Sequence, residues 1–422
     1  MAGAAGPYPL FEAFAGLERR LPRLNLGAWP TPLSPAPGLA AAAGLPWKLY
    51  VKRDDLSSPV YGGNKVRKFE FLLARAKAAG RDLVVTAGGL GSNHVVAMAA
   101  LAPAAGMQAR GLLFCQPVTP HVRRNLLAGV ALGADLRWVR DYTGVVRGYA
   151  GAVAEGLAGG RRTPYLVMPG GSSALSGAGY VSAVFEIAGQ LRAMGEPDPA
   201  AIVLPAGTGG TAAGVLAGVA LGGLDTTVVA VRVVSPGVLG ERKVRNLAAA
   251  TLRLLLRLDP DAARRVGSAG GLIALAGPGA RGRLVLEGGF LGEAYGFATE
   301  EARRAVALAL EGEGLKLETT YTGKALAAML AAAGSGPAAG GHERWLKRAA
   351  AGHPVVFLNT YSSVDPAGMA VGAEPTDLVA RVPRELRWCF DRSRRDCACG
   401  LARQCRSFCE VVRKDSGWEW RE

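Results

Sequence analysis

Two stretches of the chain carry residues that could bind an anion or act as a nucleophile. Gly207–Thr211 reads Gly-Thr-Gly-Gly-Thr between a predicted strand and a predicted helix. Backbone N–H groups and two hydroxyls at such a helix start can surround a phosphate. Lys65 follows Gly62 and Gly63 at a predicted helix start. Partial desolvation and a cationic neighbour would lower the pKa of its amine and free it as a nucleophile. The alternatives are a glycine-rich turn and a surface lysine.

A third glycine-rich loop, Gly88–Gly91, is followed by Ser92, Asn93 and His94. It offers backbone donors and three polar side chains to a carboxylate or a ring oxygen. A helix N-cap formed by Ser92 or Asn93 is the alternative interpretation.

These motifs occur together, in order and with suitable separations. The motifs are Lys52–Leu56 (Lys-Arg-Asp-Asp-Leu), Gly62–Lys68 (Gly-Gly-Asn-Lys-Val-Arg-Lys), Ser92–His94, Pro169–Ser172 followed by Gly179 and Tyr180, and Gly207–Thr211. As a set they resemble the family of pyridoxal-phosphate enzymes that contains 1-aminocyclopropane-1-carboxylate deaminase and D-cysteine desulfhydrase. The resemblance runs from about residue 21 to residue 365.

The resemblance implies a role for each matching residue. Lys65 would hold pyridoxal 5′-phosphate covalently, Asn93 would bind the cofactor's 3′-oxygen, and Thr360 would lie near its pyridine nitrogen. The phosphate ligands would be Gly207, Thr208, Gly209, Gly210 and Thr211. The catalytic residues would be Lys65, Ser92, Tyr295 and Tyr321, and the substrate contacts Ser92, Asn93, His94 and Thr322. No metal is expected.

The choice between the two activities depends on three positions. Hydroxyl residues at Thr322 and Thr360, and a histidine at His94, favour the desulfhydrase type. A hydroxyl at 322 leaves no carboxylate beside Tyr321. We therefore expect α,β-elimination from D-cysteine, with Lys65 or a tyrosine as the base, giving pyruvate, ammonia and sulfide. Tyr361 replaces a glycine of the family's last strand and adds bulk there.

Three alternatives stay open from the sequence. The first two are a deaminase of the cyclopropane amino acid and a lyase of another β-substituted alanine. The third is a catalytically silent protein that binds pyridoxal phosphate.

Short apolar strands alternate with helical patterns, which is typical of parallel sheets covered by helices. Predicted strands are Asp82–Ala87, Ala109–Cys115, Asp135–Val139, Ala201–Ala206, Thr227–Val233 and Val355–Thr360. Predicted helices include Asn93–Ala104, Thr119–Leu132 and Gly177–Met194. We expect a two-lobed α/β protein with a cleft for the ligand. The resemblance implies the tryptophan-synthase-β-like fold, fold type II. The predicted domains are residues 1–65 plus 181–371 (large, cofactor-binding) and 66–180 (small), followed by a tail, 372–422.

Composition restricts the remaining function classes. The 422 residues are 50 % hydrophobic and 20 % charged, with a net charge of +15. No apolar run is long enough for a membrane span, no secretory signal is evident, and no nucleic-acid motif accompanies the positive charge. We expect a cytoplasmic homodimer that acts on a small amino acid, with no nucleic-acid or membrane partner.

The six cysteines are unevenly distributed. Cys115 is expected to be a buried core thiol. The other five, at 389, 397, 399, 405 and 409, fall in the tail. Their spacing lacks Cys-x2-Cys pairs and histidines, so we favour a disordered or aberrant extension over a zinc site.

Overall fold

The chain forms two compact units. A computed structural model describes residues 8–116, 118–160, 162–260, 283–335, 341–370 and 375–390. The first unit comprises residues 1–79 and 168–364, and the second comprises residues 80–167 and 365–422. Elements are numbered below in chain order across both units.

The first unit is built on a six-stranded sheet in the order β1-β2-β10-β7-β8-β9. Its strands are β1 (Leu33–Pro35), β2 (Leu49–Lys52), β7 (Ala201–Ala206), β8 (Thr227–Arg232), β9 (Leu284–Glu287) and β10 (Val355–Leu358). All neighbouring strands are parallel except β1 and β2, which are antiparallel. The predicted strand at Ala201–Ala206 is confirmed residue for residue.

Helices surround this sheet. They are α1 (Pro9–Ala13), α2 (Ala15–Arg20), α3 (Pro37–Ala42), α4 (Lys65–Ala78), α8 (Ala174–Ala193), α9 (Gly210–Leu221), α10 (Glu241–Leu258), α11 (Glu300–Glu313), α12 (Thr322–Ser335) and α13 (Glu343–Ala350).

The strands of the first unit have apolar side chains on both faces. In β10, Val356 and Leu358 belong to one hydrophobic core, and Val355 and Phe357 belong to another. Side chains alternate between the faces of a strand, so a continuous apolar run is buried on both sides. This pattern is the reason that central strands such as β7 and β10 could be recognised from the sequence.

The second unit contains a four-stranded parallel sheet in the order β5-β4-β3-β6. Its strands are β3 (Leu83–Gly89), β4 (Gln108–Phe114), β5 (Asp135–Trp138) and β6 (Tyr165–Leu166), and its helices are α5 (Asn93–Leu101), α6 (Pro120–Ala131), α7 (Tyr142–Ala158) and α14 (Pro375–Arg381). Helix α6 lies within the predicted helix Thr119–Leu132; Thr119 is its N-cap, and the Thr119 hydroxyl accepts the Val122 N–H.

Two positively and two negatively charged side chains are buried together in the first unit. We call them the ion cluster: Lys52, Asp54, Arg67 and Glu186. The Arg67 guanidinium lies 2.8 Å from Asp54 Oδ1 and 2.7 Å from Glu186 Oε1. The Lys52 amine lies 2.9 Å from Glu186 Oε2. All four side chains in these ion pairs are fully buried. Two cations therefore balance two carboxylates inside the core, and this explains Lys52 and Asp54 of the Lys-Arg-Asp-Asp motif.

The ion cluster also explains why the unit boundaries differ from the predicted ones. The prediction ended the first segment of the large domain at residue 65 and resumed it at 181. In the structure, helix α4 and residues 168–180 belong to the first unit. Arg67 on α4 is tied to Asp54 and to Glu186 on α8, so both helices pack in that unit.

Part of the predicted tail is ordered, which corrects the expectation of a disordered extension for this part. Residues 375–390 form α14 and a 3-10 turn, Arg384–Phe390, in the second unit. Cys389 is buried in a hydrophobic cluster there, and the Arg123 Nε donates to its carbonyl oxygen at 2.6 Å. The other four cysteines of the tail lie outside the described residues. Cys115 is half-buried just after β4, not fully buried as predicted.

None of the helices in the described ranges combines the length and the apolar character that crossing a membrane requires.

Candidate active site

Lys65 is the first residue of α4, as the sequence predicts, and the loop before it is closely packed. A Cβ added at Gly62 would lie 2.1 Å from the Asp55 carbonyl oxygen. Gly63 has φ +90°, and a Cβ there would lie 2.7 Å from the Thr360 carbonyl oxygen. Only glycine fits both conditions, so this pair of residues fixes the backbone that carries the lysine.

The Lys65 amine is partly buried and donates to Asn64 Oδ1 at 2.6 Å. Burial lowers the pKa of Lys65 to about 8, against an opposing effect of Glu318. Asn64 is held in turn, because its amide nitrogen donates to Thr211 Oγ1 at 3.0 Å. The pKa of the Lys65 amine therefore lies close to neutral pH, and the Asn64 side chain links the amine to Thr211 of the glycine-rich loop.

The Gly207–Thr211 loop joins β7 to α9 and has the form of an anion site. Gly209 has φ +89° and occupies the N-cap position of α9, which leaves the first amides of the helix pointing outward. Ser172 Oγ lies 2.6 Å from Thr208 Oγ1 and accepts the Gly210 N–H at 3.1 Å. Hydroxyls and amides thus converge at a helix N-terminus, which is a favourable environment for a phosphate.

Lys68 is a contributor to this region to which sequence reasoning gave no role. Its amine is buried and donates to the Gly170 carbonyl oxygen at 3.0 Å. Gly170, with φ +69°, packs so closely on Thr208 that a Cβ would lie 2.4 Å from its hydroxyl oxygen. Burial, and then the charge of Lys65, lower the pKa of Lys68 well below its ordinary value. A bound phosphate would offset that unfavourable charge. The spacing of three residues from Lys65 is the sequence signal for this contact.

Tyr295 and Tyr321 form a pair in the first unit. Their hydroxyl oxygens are 2.9 Å apart and their rings meet edge to face. A Cβ at Gly207 would lie 3.2 Å from Tyr321 Cε1, so the ring also borders the glycine-rich loop. Burial raises the pKa of both hydroxyls, Tyr321 further because Tyr295 adds to the effect. The pair is therefore protonated at neutral pH and can donate a proton.

Glu318 corrects the expectation that no carboxylate lies beside Tyr321. Its Oε1 accepts the backbone N–H groups of Tyr321 and Thr322 at 2.8 and 2.9 Å. The Thr322 hydroxyl accepts the Glu318 N–H at 3.0 Å and lies 3.3 Å from Oε1. Thr322 is fully buried and bonded to Glu318, and its predicted substrate contact stays a prediction.

Thr360 follows β10, and its backbone supports the lysine loop. Its carbonyl oxygen accepts the Asn64 N–H at 3.1 Å, and its side chain is almost wholly buried. Tyr361 is partly buried, and its charge contributes to the raised pKa of buried Tyr61. Both residues therefore lie in the first unit with Lys65. The role of Thr360 at a ring nitrogen stays a prediction.

Ser92, Asn93 and His94 lie in the second unit, at the start of α5. Ser92 is in the N-cap position without a capping hydrogen bond from its side chain, so the simple capping interpretation does not account for it. Asn93 Oδ1 accepts a hydrogen bond from Asn125 Nδ2 at 2.8 Å. His94 is buried, with its Nε2 2.8 Å from Thr86 Oγ1.

The tautomer of His94 follows from its partner. Thr86 donates its hydroxyl proton to the Val167 carbonyl oxygen at 2.9 Å, so His94 Nε2 is the donor to Thr86. His94 thus has a structural hydrogen bond within its unit, while its predicted substrate contact and those of Ser92 and Asn93 stay predictions.

The residues of the first unit fit pyridoxal phosphate. The helix N-terminus of α9, the Ser172 and Thr208 hydroxyls and the buried Lys68 provide for a phosphate, and Lys65 provides an amine of lowered pKa. A Cβ at Gly207 would require a small shift of the Tyr321 ring, so the loop and the ring are closely packed. The first group would hold the phosphate of the cofactor, and Lys65 would bond its aldehyde carbon.

Comparison with known proteins agrees with this fit. Residues 24–342 match the family model for pyridoxal-phosphate dependent enzymes, so the chain belongs to that family. It is 36 % identical over 334 residues to nocardicin C-9′ epimerase of Nocardia uniformis subsp. tsuyamanensis, covering 77 % of this chain and 92 % of the relative. It is 33 % identical over 320 residues to D-cysteine desulfhydrase of Yersinia pestis (strain Pestoides F), covering 74 % and 88 %.

A solved structure places the chain more narrowly. The crystal structure of an ACC deaminase homologue superposes with a TM-score of 0.65 at 27 % identity, covering 89 % of this chain and 99 % of that one. Within the pyridoxal-phosphate enzymes, the group is therefore the one of ACC deaminase and D-cysteine desulfhydrase, and the fold is fold type II.

Proposed function

We propose that this protein catalyses α,β-elimination from a small amino acid with a leaving group on its β-carbon, D-cysteine in the first instance. One D-cysteine and one water would give pyruvate, ammonia and hydrogen sulfide. The observation that carries the proposal is the presence in one unit of an amine with a pKa of about 8 and a protonated tyrosine pair. Together they provide a base and an acid for one substrate.

The residues divide the work as follows. Pyridoxal phosphate, when bound, supplies an electron sink for the α-carbon of the amino acid. Lys65 Nζ accepts the α-proton, since a pKa of about 8 leaves a larger neutral fraction of this amine near neutral pH than an ordinary lysine has. The Tyr295–Tyr321 pair donates a proton to the departing sulfur, and the hydrogen bond between the two hydroxyls orients the donor.

The preference for a thiol substrate rests on the leaving group and on Thr360. A thiolate leaves readily because its conjugate acid has a pKa of about 8.5, whereas opening a cyclopropane ring must expel a carbon. We expect the Thr360 hydroxyl to lie near the pyridine nitrogen, where it would not protonate the ring as a carboxylate would. A weaker electron sink suits a reaction whose leaving group takes the electrons promptly. The desulfhydrase relative at 33 % identity supports the same choice.

Epimerisation at the α-carbon is the second candidate. The relative at 36 % identity is named an epimerase, and this chain covers 92 % of its length. The same acid and base could take the α-proton on one face and return one on the other, with nothing lost from the β-carbon. The two candidates therefore differ only in whether the β-substituent departs.

One experiment separates these outcomes. Full-length holoenzyme is incubated in D2O with D-cysteine, L-cysteine and the cyclopropane amino acid in turn. Pyruvate, sulfide and 2-oxobutyrate are measured, and the recovered amino acid is tested for α-deuterium and configuration. Pyruvate with equimolar sulfide supports elimination. Exchange with inversion and no sulfide would establish epimerisation instead, and 2-oxobutyrate would establish the deaminase.

The identity of the covalent lysine has its own test. Borohydride reduction of the holoenzyme followed by peptide mapping should place the cofactor on Lys65. A label on Lys52, Lys68 or Lys324 would overturn the assignment. A bound, reducible cofactor with no change in any amino acid would instead indicate a catalytically silent protein.

Homodimerisation and a cytoplasmic location belong to the same proposal. Light scattering on the purified full chain gives the subunit number directly, and fractionation of the source cells gives the location.

A further inference from the structure

Glu318 is hydrogen-bonded to the backbone of Tyr321 and acts electrostatically on Lys65. It lies on the segment before α12, and its carboxylate accepts three consecutive backbone N–H groups. Oε2 accepts from Thr320 at 2.7 Å, and Oε1 accepts from Tyr321 and Thr322 at 2.8 and 2.9 Å. One carboxylate therefore fixes the backbone on which the Tyr321 ring is mounted, and the negative charge sits at the N-terminus of a helix.

The position of Tyr295 depends on that of Tyr321, because the two hydroxyls are hydrogen-bonded. The two hydroxyls are 2.9 Å apart, so a shift of the Tyr321 backbone would break that hydrogen bond. Lys324, on the first turn of α12, donates to the Leu291 carbonyl oxygen at 2.6 Å in the segment that carries Tyr295. The start of α12 thus supports both tyrosines, one through Glu318 and one through Lys324.

The charge of Glu318 acts on five titratable groups of the first unit. It raises the pKa of Lys65 and of Lys324, against the larger opposing effect of burial. It also adds to the raised pKa of Tyr61, Tyr295 and Tyr321. Burial, and then the positive charge of Lys65, lower the pKa of Lys68.

We propose that Glu318 is a positioning residue that holds the Tyr295–Tyr321 pair in place and supplies a negative charge to the site. This inference rests on the proposed roles of Lys65 and the two tyrosines. It assigns no contact between Glu318 and the substrate.

The test uses the absorbance band of the cofactor in full-length holoenzyme, without substrate, as a function of pH. Glu318→Gln keeps the size and one acceptor oxygen but loses the charge. We expect the midpoint of the titration to move to lower pH by about 0.5 to 1 unit, because a negative charge that favoured the protonated form is gone. Glu311→Gln is the matched control, since Glu311 is exposed on α11, and its midpoint should not move.

A second variant separates charge from structure. Glu318→Asp keeps the charge and should titrate within about 0.3 unit of the unmodified protein, even if it melts at a lower temperature. An unchanged midpoint in a folded Glu318→Gln variant would overturn the proposal. So would a midpoint in Glu318→Asp that falls by more than 0.5 unit, and that arm stands even if Glu318→Gln does not fold. Because no substrate is present, the result is independent of which amino acid the enzyme converts.

Discussion

Replacing Glu186 by glutamine removes one charge from the ion cluster with little change in volume. Glu186 lies 2.7 Å from the Arg67 guanidinium and 2.9 Å from the Lys52 amine, and all three side chains are fully buried. Burial alone would raise the pKa of this carboxyl, but Arg67 and then Lys52 lower it from 4.5 to about 2. We expect Glu186→Gln to be among the more destabilising conservative substitutions in the first unit.

The magnitude follows from the pKa. A depression of about 2.5 units corresponds to roughly 3 kcal/mol of stability at neutral pH. Since the folded-state pKa is the lower one, this contribution is complete above about pH 4.5 and disappears as the pH falls towards 2. The difference between the variant and the unmodified protein should therefore be greatest at pH 7 and shrink on acidification. Breaking a buried ion pair by removing one partner costs about the same amount.

The assay is thermal unfolding of the full chain at pH 7 and at several values down to pH 3. A loss of roughly 3 kcal/mol lowers the melting temperature by about 6 to 12 °C in a unit of this size. Glu196→Gln is the control, because Glu196 pairs with Lys48, whose side chain is 61 % exposed. Such a surface pair contributes about 0 to 1 kcal/mol. A Glu186→Gln variant that melts like the control, or a difference that is the same at pH 7 and pH 3, would refute the reasoning.

Three further outcomes are expected. Gly209→Val should lower cofactor occupancy, measured by absorbance after gel filtration, because Gly209 has φ +89° and a Cβ there would lie 2.7 Å from a leucine methyl. Gly223→Val is the control for backbone strain alone, since Gly223 has φ +67° and a Cβ there would meet nothing within 4 Å. Asn125→Asp should weaken cofactor binding roughly tenfold in an equilibrium titration, since the Asn125 amide nitrogen lies 2.8 Å from Asn93 Oδ1 and a carboxylate there would repel that oxygen. Unchanged affinity would exclude the predicted role of Asn93 in cofactor binding. Thr119→Ala should cost about 1 kcal/mol in urea unfolding through loss of the α6 N-cap, and an unaltered midpoint would contradict it.

The parts of the site that depend on local spacing were predictable from the sequence. The glycines before Lys65 and those of Gly207–Thr211 act on their own backbone, so their role is visible in a short window. Strand β7 was predicted to the residue because its apolar run is bounded by a glycine loop. Strand β2 was missed because it has four residues, Leu49–Lys52, and ends on a buried lysine, which no hydropathy pattern indicates.

The parts that depend on distant partners were not predictable. Arg67 and Glu186 are 119 residues apart, and neither residue indicates the other. The same applies to Ser172, whose hydroxyl meets Gly210 across 38 residues. The interpretation of Thr322 is a different case: it compared residue types at one position and overlooked Glu318, although the two residues are only four apart and their contact is local. A carboxylate just before a helix start was the available signal.

The strand order of the first unit has a consequence for how the protein is made. Strand β10 lies between β2 and β7, and Val355 pairs with both Leu49 and Ala201. The six-stranded sheet therefore stays open on the ribosome until residues near 358 have emerged. The sheet of the second unit is encoded in one continuous run, from β3 to β6, so it can close while the earlier segment still waits for its partner strand. A nascent chain truncated before β10 would thus present the unpaired edges of β2 and β7, which makes this interval of synthesis the one most exposed to aggregation and most in need of chaperones.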